Sequence, residues 1–337
     1  MFKILITDKH GWDSNKLEKD FLGADCEVLQ FDKTEEVTDA AWAACDGVVT
    51  YRGSRLVTQN MDKMKAVKII VRGGVGFDGL DLKAFGSRGI PVCNVPDYGT
   101  TDVADHAISL LMALRRGLTI YEVHMRENAH DHWHAVPNPC IRRLRGQSFG
   151  VLGLGRIGLA AARRAKALDM EVGFYDPHLP DGADLAHGFR RFEHLEEFFE
   201  HSDNISVHTP FTEQTHHIVN ADMLSRMKEH AVLVNTSRGP TVDVDALYHA
   251  LHENMIAGAA LDVWPTEPPQ TDHPLIQAFA KRETWLTGRF MLTPHAAFYT
   301  PEGVADMRLK SVKTVAEFLR NKTVRNCQNE AYLKDRL

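Results

Sequence analysis

The sequence predicts an α/β protein built on two open parallel sheets, and three observations carry that expectation. Short apolar runs alternate with helical stretches almost throughout, which is the pattern of βαβ units. The 337 residues leave room for two domains at roughly 150 residues each. A glycine-rich turn, Gly153-Leu154-Gly155-Arg156-Ile157-Gly158, joins one apolar run to an alanine-rich stretch.

The first series of runs is Phe2–Thr7, Cys26–Phe31, Gly47–Tyr51, Val67–Val71 and Ile90–Asn94. A long helix is expected from Asp102 to about Arg126, because Val103, Ala107, Leu110, Leu111, Leu114 and Leu118 recur at helical spacing. A second series follows: Phe149–Leu154, Glu171–Tyr175, Ile205–Val207, Ala231–Val234, Gly258–Leu261 and Phe290–Leu292. The tail from Pro301 to Arg320 reads as an amphipathic helix, with Val304, Val312, Val315, Ala316 and Leu319 on one face.

Composition narrows the class. Hydrophobic residues at 44% and charged residues at 25% are ordinary for a globular chain. The net charge of −6 and scattered basic residues argue against nucleic acid, and Arg142, Arg143 and Arg145 read as a solvated turn. No apolar run approaches the roughly 20 residues that cross a bilayer, so no membrane span is expected. The opening MFKILITDKHG reads as a first strand and not as a signal peptide. Five scattered cysteines without a CxxC pair fit a reducing cytoplasm better than a disulfide framework or a cysteine zinc site.

In the second series the residue just past each run is repeatedly polar or glycine: Gly153 and Gly155, Asp176, His208, Arg238, Asp262, His295. Ligands of open parallel sheets bind outside the carboxyl ends of the strands, so these ends are the candidate site. The glycine turn has the form of a dinucleotide fingerprint: Gly153 for the tight turn, Gly155 for close approach of a pyrophosphate, Gly158 for close helix packing. The pyrophosphate would rest on the amides opening the helix. Asp176 closes the next strand about 20 residues on, where an acid binds the ribose hydroxyls. A carboxylate about 4 Å from a 2′-phosphate repels it by roughly 4 kcal/mol at an effective dielectric of 20. The residues that follow are Pro177 and His178, with no arginine to receive that phosphate, so NAD is expected over NADP.

Three further segments carry the residue types that reduction of a 2-keto acid needs: 235–239, 262–268 and 293–297. Arg238 supplies a fixed planar cation for a carboxylate. His295 is the natural proton donor near neutral pH. Glu267 is the carboxylate that would orient such a histidine and favour its charged form.

These segments resemble the D-isomer-specific 2-hydroxyacid dehydrogenases. The resemblance runs through Arg-Gly-Gly-Val-Gly-Phe-Asp (72–78), Val-Cys-Asn-Val-Pro (92–96), the glycine fingerprint, Asn-Thr-Ser-Arg-Gly (235–239), Ala-Ala-Leu-Asp-Val (259–263) and Thr-Pro-His-Ala-Ala (293–297). Arg145-Gly146, Tyr175-Asp176-Pro177, His216-His217 and the ending Asn326-Cys327-x-Asn329 make it most similar to the C-terminal-binding-protein branch. The family resemblance implies that Arg238, Glu267 and His295 are catalytic and that Asp262 binds the nicotinamide carboxamide. It also implies NAD contacts from Val103, Arg156, Ile157, His208, Thr209, Pro210, Thr215, Thr236, Ser237 and Ala297. The implied architecture is a Rossmann NAD domain (102–298) inserted into a discontinuous flavodoxin-like substrate domain (1–101 and 299–337). The active site would lie in the cleft, with hinge closure excluding water.

For the substrate, the resemblance points to Arg72 and to the backbone of Gly74, Val75 and Gly76 as carboxylate contacts. Val75 stands where that branch has serine and Phe298 where it has tryptophan. Tyr51, Val75, Phe298 and Trp133 are expected to form an apolar wall, which would make glyoxylate a poor substrate. Arg52 reads either as a second-anion contact or as a solvated side chain. His130, His132 and His134 read as part of a polar arm in a homodimer contact and not as a metal set. Two alternatives stay open. An NAD-sensing, corepressor-like binding protein is the first, although the chain stops at Leu337 soon after its last helix. Formate dehydrogenase is the second, against which Glu267 speaks, since that enzyme carries a Gln-His pair.

Overall fold

The computed structural model describes residues 1–9, 12 and 14–333, so His10 and Gly11 of the opening run lie outside the described residues. The chain divides into two units, Met1–Gly99 with Tyr299–Leu337, and Thr100–Phe298.

The first unit holds five strands: β1 (Phe2–Ile6), β2 (Cys26–Gln30), β3 (Gly47–Thr50), β4 (Ile69–Arg72) and β5 (Val92–Asn94). Their order is β2-β1-β3-β4-β5 and every pair is parallel, the flavodoxin-like arrangement. Parallel strands are covered on both faces, and the inner strands β3 (Gly-Val-Val-Thr) and β4 (Ile-Ile-Val-Arg) accordingly carry successive apolar residues, while the edge strand β2 (Cys-Glu-Val-Leu-Gln) is only partly buried. One face is covered by the tail helix Pro301–Asn321, whose Met307, Val312, Val315 and Leu319 pack with Ile4, Val49, Ile69 and Val71. A Cβ built on Gly47 would sit 2.4 Å from Val315 Cγ1, so helix and sheet meet closely there. The helix starts on a Thr300 cap, whose hydroxyl accepts from Gly303 N at 2.9 Å, followed by proline at the first turn. Arg308 anchors it through Glu18 at 2.6 Å, a carboxylate that is fully buried.

The second unit holds seven strands: β6 (Ser148–Leu152), β7 (Glu171–Tyr175), β8 (Arg190–Arg191), β9 (Asn204–Val207), β10 (Val232–Asn235), β11 (Gly258–Leu261) and β12 (Phe290–Leu292). The order is β12-β11-β10-β9-β6-β7-β8, again all parallel. Counted from β6, this is the Rossmann order 3-2-1-4-5-6 with one more strand beyond it. The order reverses between β6 and β9, which is where such sheets hold their ligands.

One expectation is corrected and one strand is added. The long helix is two helices, Thr100–Arg115 and Leu118–Asn128, because Gly117 turns left-handed at φ +63°. Leu118 therefore leaves the apolar face and is 56% exposed, while Val103, Ala107, Leu110, Leu111 and Leu114 are buried. Strand β8 carries no apolar run, and its two arginines concealed it from the pattern.

The first of these helices ends on a buried arginine. Arg115 donates from Nε to Asn204 Oδ1 (2.6 Å), from Nη1 to the carbonyls of Cys140 and His230, and from Nη2 to the carbonyl of Asp203. Burial pushes its pKa down to about 10, still charged at neutral pH, so it ties helix, β9 and the turn before β10 together.

Candidate active site

The site is built on the carboxyl ends of adjacent strands of the second unit. Past β6, each fingerprint glycine has its own cause. Gly153 lies at φ +91°, in the region open chiefly to glycine. A Cβ on Gly158 would fall 2.2 Å from the Gly153 carbonyl oxygen, so helix Arg156–Ala167 packs against the turn only without a side chain. Gly155 has ordinary φ, and a Cβ there would meet nothing within 4 Å. Its place is open space at the helix entrance, beside exposed Arg156 and half-buried Ile157, as the approach of a pyrophosphate requires.

Asp176, past β7, is half-buried. Its Oδ2 accepts from Leu154 N and its Oδ1 from His178 N, both at 3.0 Å, which fixes it on the glycine turn. Past β9, His208 is half-buried with Nε2 at 2.8 Å from Ser206 Oγ, and desolvation pushes its pKa down to about 4. It is a neutral ring at physiological pH. Thr215 closes the exposed loop beyond by donating to the Pro210 carbonyl at 2.7 Å.

The residues fit a dinucleotide on one further observation. The hydroxyls of Thr209, past β9, and Thr236, past β10, are buried and have no hydrogen-bond partner among the described residues. Buried polar groups are normally satisfied, and two orphans at ligand-binding strand ends suit a polar ligand. Ser237 is otherwise engaged, its hydroxyl donating to Asn235 Oδ1 at 2.8 Å and shaping the turn before Arg238. Val103 is buried in the first turn of its helix and Ala297 is buried in the turn after β12.

Arg238, Glu267 and His295 follow β10, β11 and β12, three neighbouring strands. His295 Nδ1 lies 2.7 Å from Glu267 Oε2, and Glu267 Oε1 accepts from Trp264 N at 3.1 Å. Burial pushes the Glu267 carboxyl up, but the hydrogen bond and charge of His295, the Trp264 amide and the charge of Arg238 outweigh it, leaving the pKa lowered. Arg238 is thus near enough to act on the pair; its Nη1 also donates to the Ser237 carbonyl at 2.8 Å. The Phe298 ring stands edge-on to His295, 6.4 Å between centroids.

His295 adopts φ +52°, uncommon for a residue with a side chain. Asp262, wholly buried past β11, holds it there. Its Oδ1 accepts from Thr293 Oγ1 (2.5 Å) and Ala296 N (2.9 Å), its Oδ2 from Ala297 N (2.9 Å), and its carbonyl from His295 N (2.7 Å). Asp262 therefore organises the turn that carries His295, a role that the sequence reading did not give it. His106, which that reading passed over, joins this network with Nε2 at 3.1 Å from Thr293 Oγ1. Because the threonine proton goes to Asp262, His106 Nε2–H is the donor.

In the first unit, Tyr51 is a correction. It is fully buried, edge-on to Trp12 at 5.1 Å, and so presents no surface to a substrate. Buried Asp8, also missed, accepts from the amides of Tyr51 (3.1 Å) and Arg52 (2.5 Å) and sets the loop past β3. The Arg52 side chain is exposed. Arg72 folds back over the glycine loop, Nη1 donating to the Gly73 carbonyl at 2.5 Å. A Cβ on Gly74, at φ +150°, would lie 1.6 Å from that Nη1, so the glycine makes room for the guanidinium. Val75 and Gly76 are half-buried, and Asn94 Nδ2 fixes the Val75 carbonyl at 2.6 Å. Trp133 is 81% exposed on the segment after the second helix.

Comparison with known proteins identifies the family. Residues 108–297 match the family described as D-isomer specific 2-hydroxyacid dehydrogenase, NAD binding domain. The chain is 35% identical over 295 residues to a glyoxylate reductase of Korarchaeum cryptofilum, covering 87% of this chain and 85% of that protein. It is 34% identical over 276 residues to a D-3-phosphoglycerate dehydrogenase of Methanocaldococcus jannaschii, covering 82% of this chain but 51% of that longer protein. Among solved structures, an NADPH-dependent glyoxylate/hydroxypyruvate reductase from Sinorhizobium meliloti, in complex with NADP and malonate, superposes with TM-score 0.81 at 29% identity, over 98% of this chain and 97% of that one. A D-lactate dehydrogenase from Aquifex aeolicus, complexed with NAD and lactic acid, gives TM-score 0.79 at 26% identity, over 94% and 95%. The chain belongs to the D-isomer-specific 2-hydroxyacid dehydrogenase family, oxidoreductases that pass a hydride between a nicotinamide cofactor and a 2-keto/2-hydroxy acid pair.

Proposed function

We propose that the protein is an NAD-dependent reductase of small 2-keto acids, forming the D-2-hydroxy acid. The Glu267–His295 pair beside Arg238, on the same strand edge as the glycine fingerprint, carries the reading. A bound nicotinamide supplies the hydride. Arg238 offers a planar, permanently charged fork to the carboxylate and polarises the carbonyl. His295, with Nδ1 tied to Glu267, has Nε2 to give a proton to the carbonyl oxygen and to recover it in oxidation. Glu267 orients the ring and stabilises its charged form.

The preference for NAD rests on Asp176, whose carboxylate would repel a 2′-phosphate. The solved relatives include one with NADP and one with NAD, so the residue and not the family carries this claim. The preference for small acids rests on the withdrawal of Tyr51 into the core, which removes an aromatic member of the expected wall. Relatives named for glyoxylate and lactate support it, and the expectation that glyoxylate is a poor substrate is replaced. Their names as reductases and dehydrogenases also favour turnover over a purely sensing role. The test is an initial-rate panel of glyoxylate, pyruvate, 2-ketoisocaproate and phenylpyruvate, each with NADH and NADPH. Small acids should lead, with kcat/KM for NADH at least about tenfold above NADPH, or about 1.4 kcal/mol. Preference for phenylpyruvate would restore the aromatic wall, and equal cofactor efficiencies would remove the role given to Asp176.

The protein is also proposed to act as a homodimer. Trp133 at 81% and Leu118 at 56% exposure leave apolar surface on the helix and arm after Gly117, which a partner would cover in an isologous contact.

A further inference from the structure

Of the five cysteines, two face each other. The tail returns to the sheet of the first unit and pairs antiparallel with β5: Asn94 N donates to the Asn326 carbonyl at 3.2 Å and Gln328 N to the Val92 carbonyl at 2.8 Å. Cys93 and Cys327 are the bridged pair between those two bonds. Bonds that flank a pair, and do not join it, mark the narrow site of an antiparallel ladder, where Cα atoms lie about 4.5 Å apart. Directly opposed side chains share one face, with Cβ atoms roughly 4.5–5.5 Å apart. A disulfide takes Cα separations of about 4.4–6.8 Å and Cβ separations of about 3.5–4.5 Å, so the backbone already has the spacing and needs only a small approach. Cys327 packs on the apolar cluster that contains Cys93. Neither is joined in a disulfide in this structure.

We propose that Cys93 and Cys327 form a reversible peroxide-responsive dithiol, whose disulfide locks the tail onto β5. Cys327 is half-buried and Cys93 fully buried, so a small peroxide meets Cys327 first. The neighbouring Cys93 draws the Cys327 thiol below its ordinary value, while Cys327 and burial push Cys93 up, so the more exposed outer sulfur is the nucleophile. Cys327 thiolate attacks a peroxide oxygen, the O–O bond breaks, and water and a sulfenic acid result. Cys93 then attacks the Cys327 sulfur, the S–O bond breaks, and the hydroxyl leaves as water with the Cys93 proton. Two thiols and one hydrogen peroxide give one disulfide and two waters; an external dithiol reverses the step.

The same register reaches the glycine loop. Gln328 Nε2 donates to Asn94 Oδ1 at 3.1 Å, and Asn94 Nδ2 holds the Val75 carbonyl. Oxidation would therefore fix covalently the strand pair from which that loop hangs. The full chain is treated with hydrogen peroxide, quenched and denatured, its thiols are counted, and a non-reducing digest is analysed by mass spectrometry. The expected result is a fall from five thiols to three. A cross-linked peptide pair carrying Cys93 and Cys327 should appear, lighter by two hydrogens and released by dithiothreitol. Cys327→Ser should abolish the pair and keep its remaining thiols. Cys93→Ser, should it fold, should stop at an oxidised Cys327 monomer. An unchanged thiol count, oxidation of Cys327 to sulfinic acid with Cys93 still titratable, or a disulfide between other cysteines would overturn the proposal.

Discussion

The proposed chemistry turns on one imidazole, His295, held in an unusual backbone conformation. Residues in sparsely populated regions cost about 1–3 kcal/mol and persist where their surroundings over-determine them. The buried Asp262 carboxylate, bonded to Thr293, Ala296 and Ala297, supplies that constraint for His295. His295→Ala should lower kcat for reduction by roughly 10²–10⁴, the usual range for a lost general acid. Arg238→Lys should be severely impaired as well, because a point charge does not reproduce a planar fork. Near-normal turnover in either variant, measured by NADH oxidation, would exclude the role. His208 gives a pH prediction. Its folded pKa is depressed from 6.5 to about 4, so the unfolded chain takes up a proton first as pH falls. The associated stability is present above pH 6.5 and lost as pH drops toward 4. His208→Asn should flatten this limb of the denaturation midpoint against pH; an unchanged limb would assign it to other groups. The residue types that the proposed mechanism uses stood out in sequence because they follow strand ends in recognisable segments. His106 and Asp8 were not, since a lone His or Asp among many signals nothing until folding brings distant turns to it.

At the scale of elements, the fingerprint separates folding from binding. Gly158→Ala would press a Cβ to 2.2 Å from the Gly153 carbonyl and should destabilise the domain, by about 1–3 kcal/mol as overpacking usually does. Gly155→Ala meets open space and should leave the melting temperature nearly unchanged while weakening NADH affinity, since the methyl stands where the pyrophosphate approaches. Calorimetry and a fluorescence titration check the two halves; a folded, tight-binding Gly155→Ala would move the phosphate site elsewhere. Strands with long apolar runs were legible, and two of them, β10 and β11, pair with Val232 opposite Gly258. Two features were not. Strand β8 has two residues, both arginine, below the length at which alternation carries information. The break at Gly117 was masked because apolar spacing continues through it, and only the left-handed φ of the glycine shows that Leu118 begins a new helix.

At the scale of the whole molecule, the chain closes its first sheet with its last long helix, so that unit is complete only after the second has been traversed in sequence. That organisation was legible through the family resemblance, whereas periodicity alone assigns the tail helix to neither sheet. Assembly is the next level: light scattering at micromolar concentration should give twice the 37.9 kDa chain mass, and a monomer mass would contradict the dimer. The central claim is transfer of a hydride from NADH to the carbonyl carbon of a 2-keto acid, with His295 supplying the proton. It is tested most directly by incubating the enzyme with pyruvate and NADH fully deuterated at C4 of the nicotinamide, then analysing the product by chiral chromatography and mass spectrometry. The account predicts D-lactate carrying one deuterium at C2, formed by the native enzyme and almost absent with His295→Ala. Lactate of the L configuration, product without the label, or equal formation by the variant would contradict it.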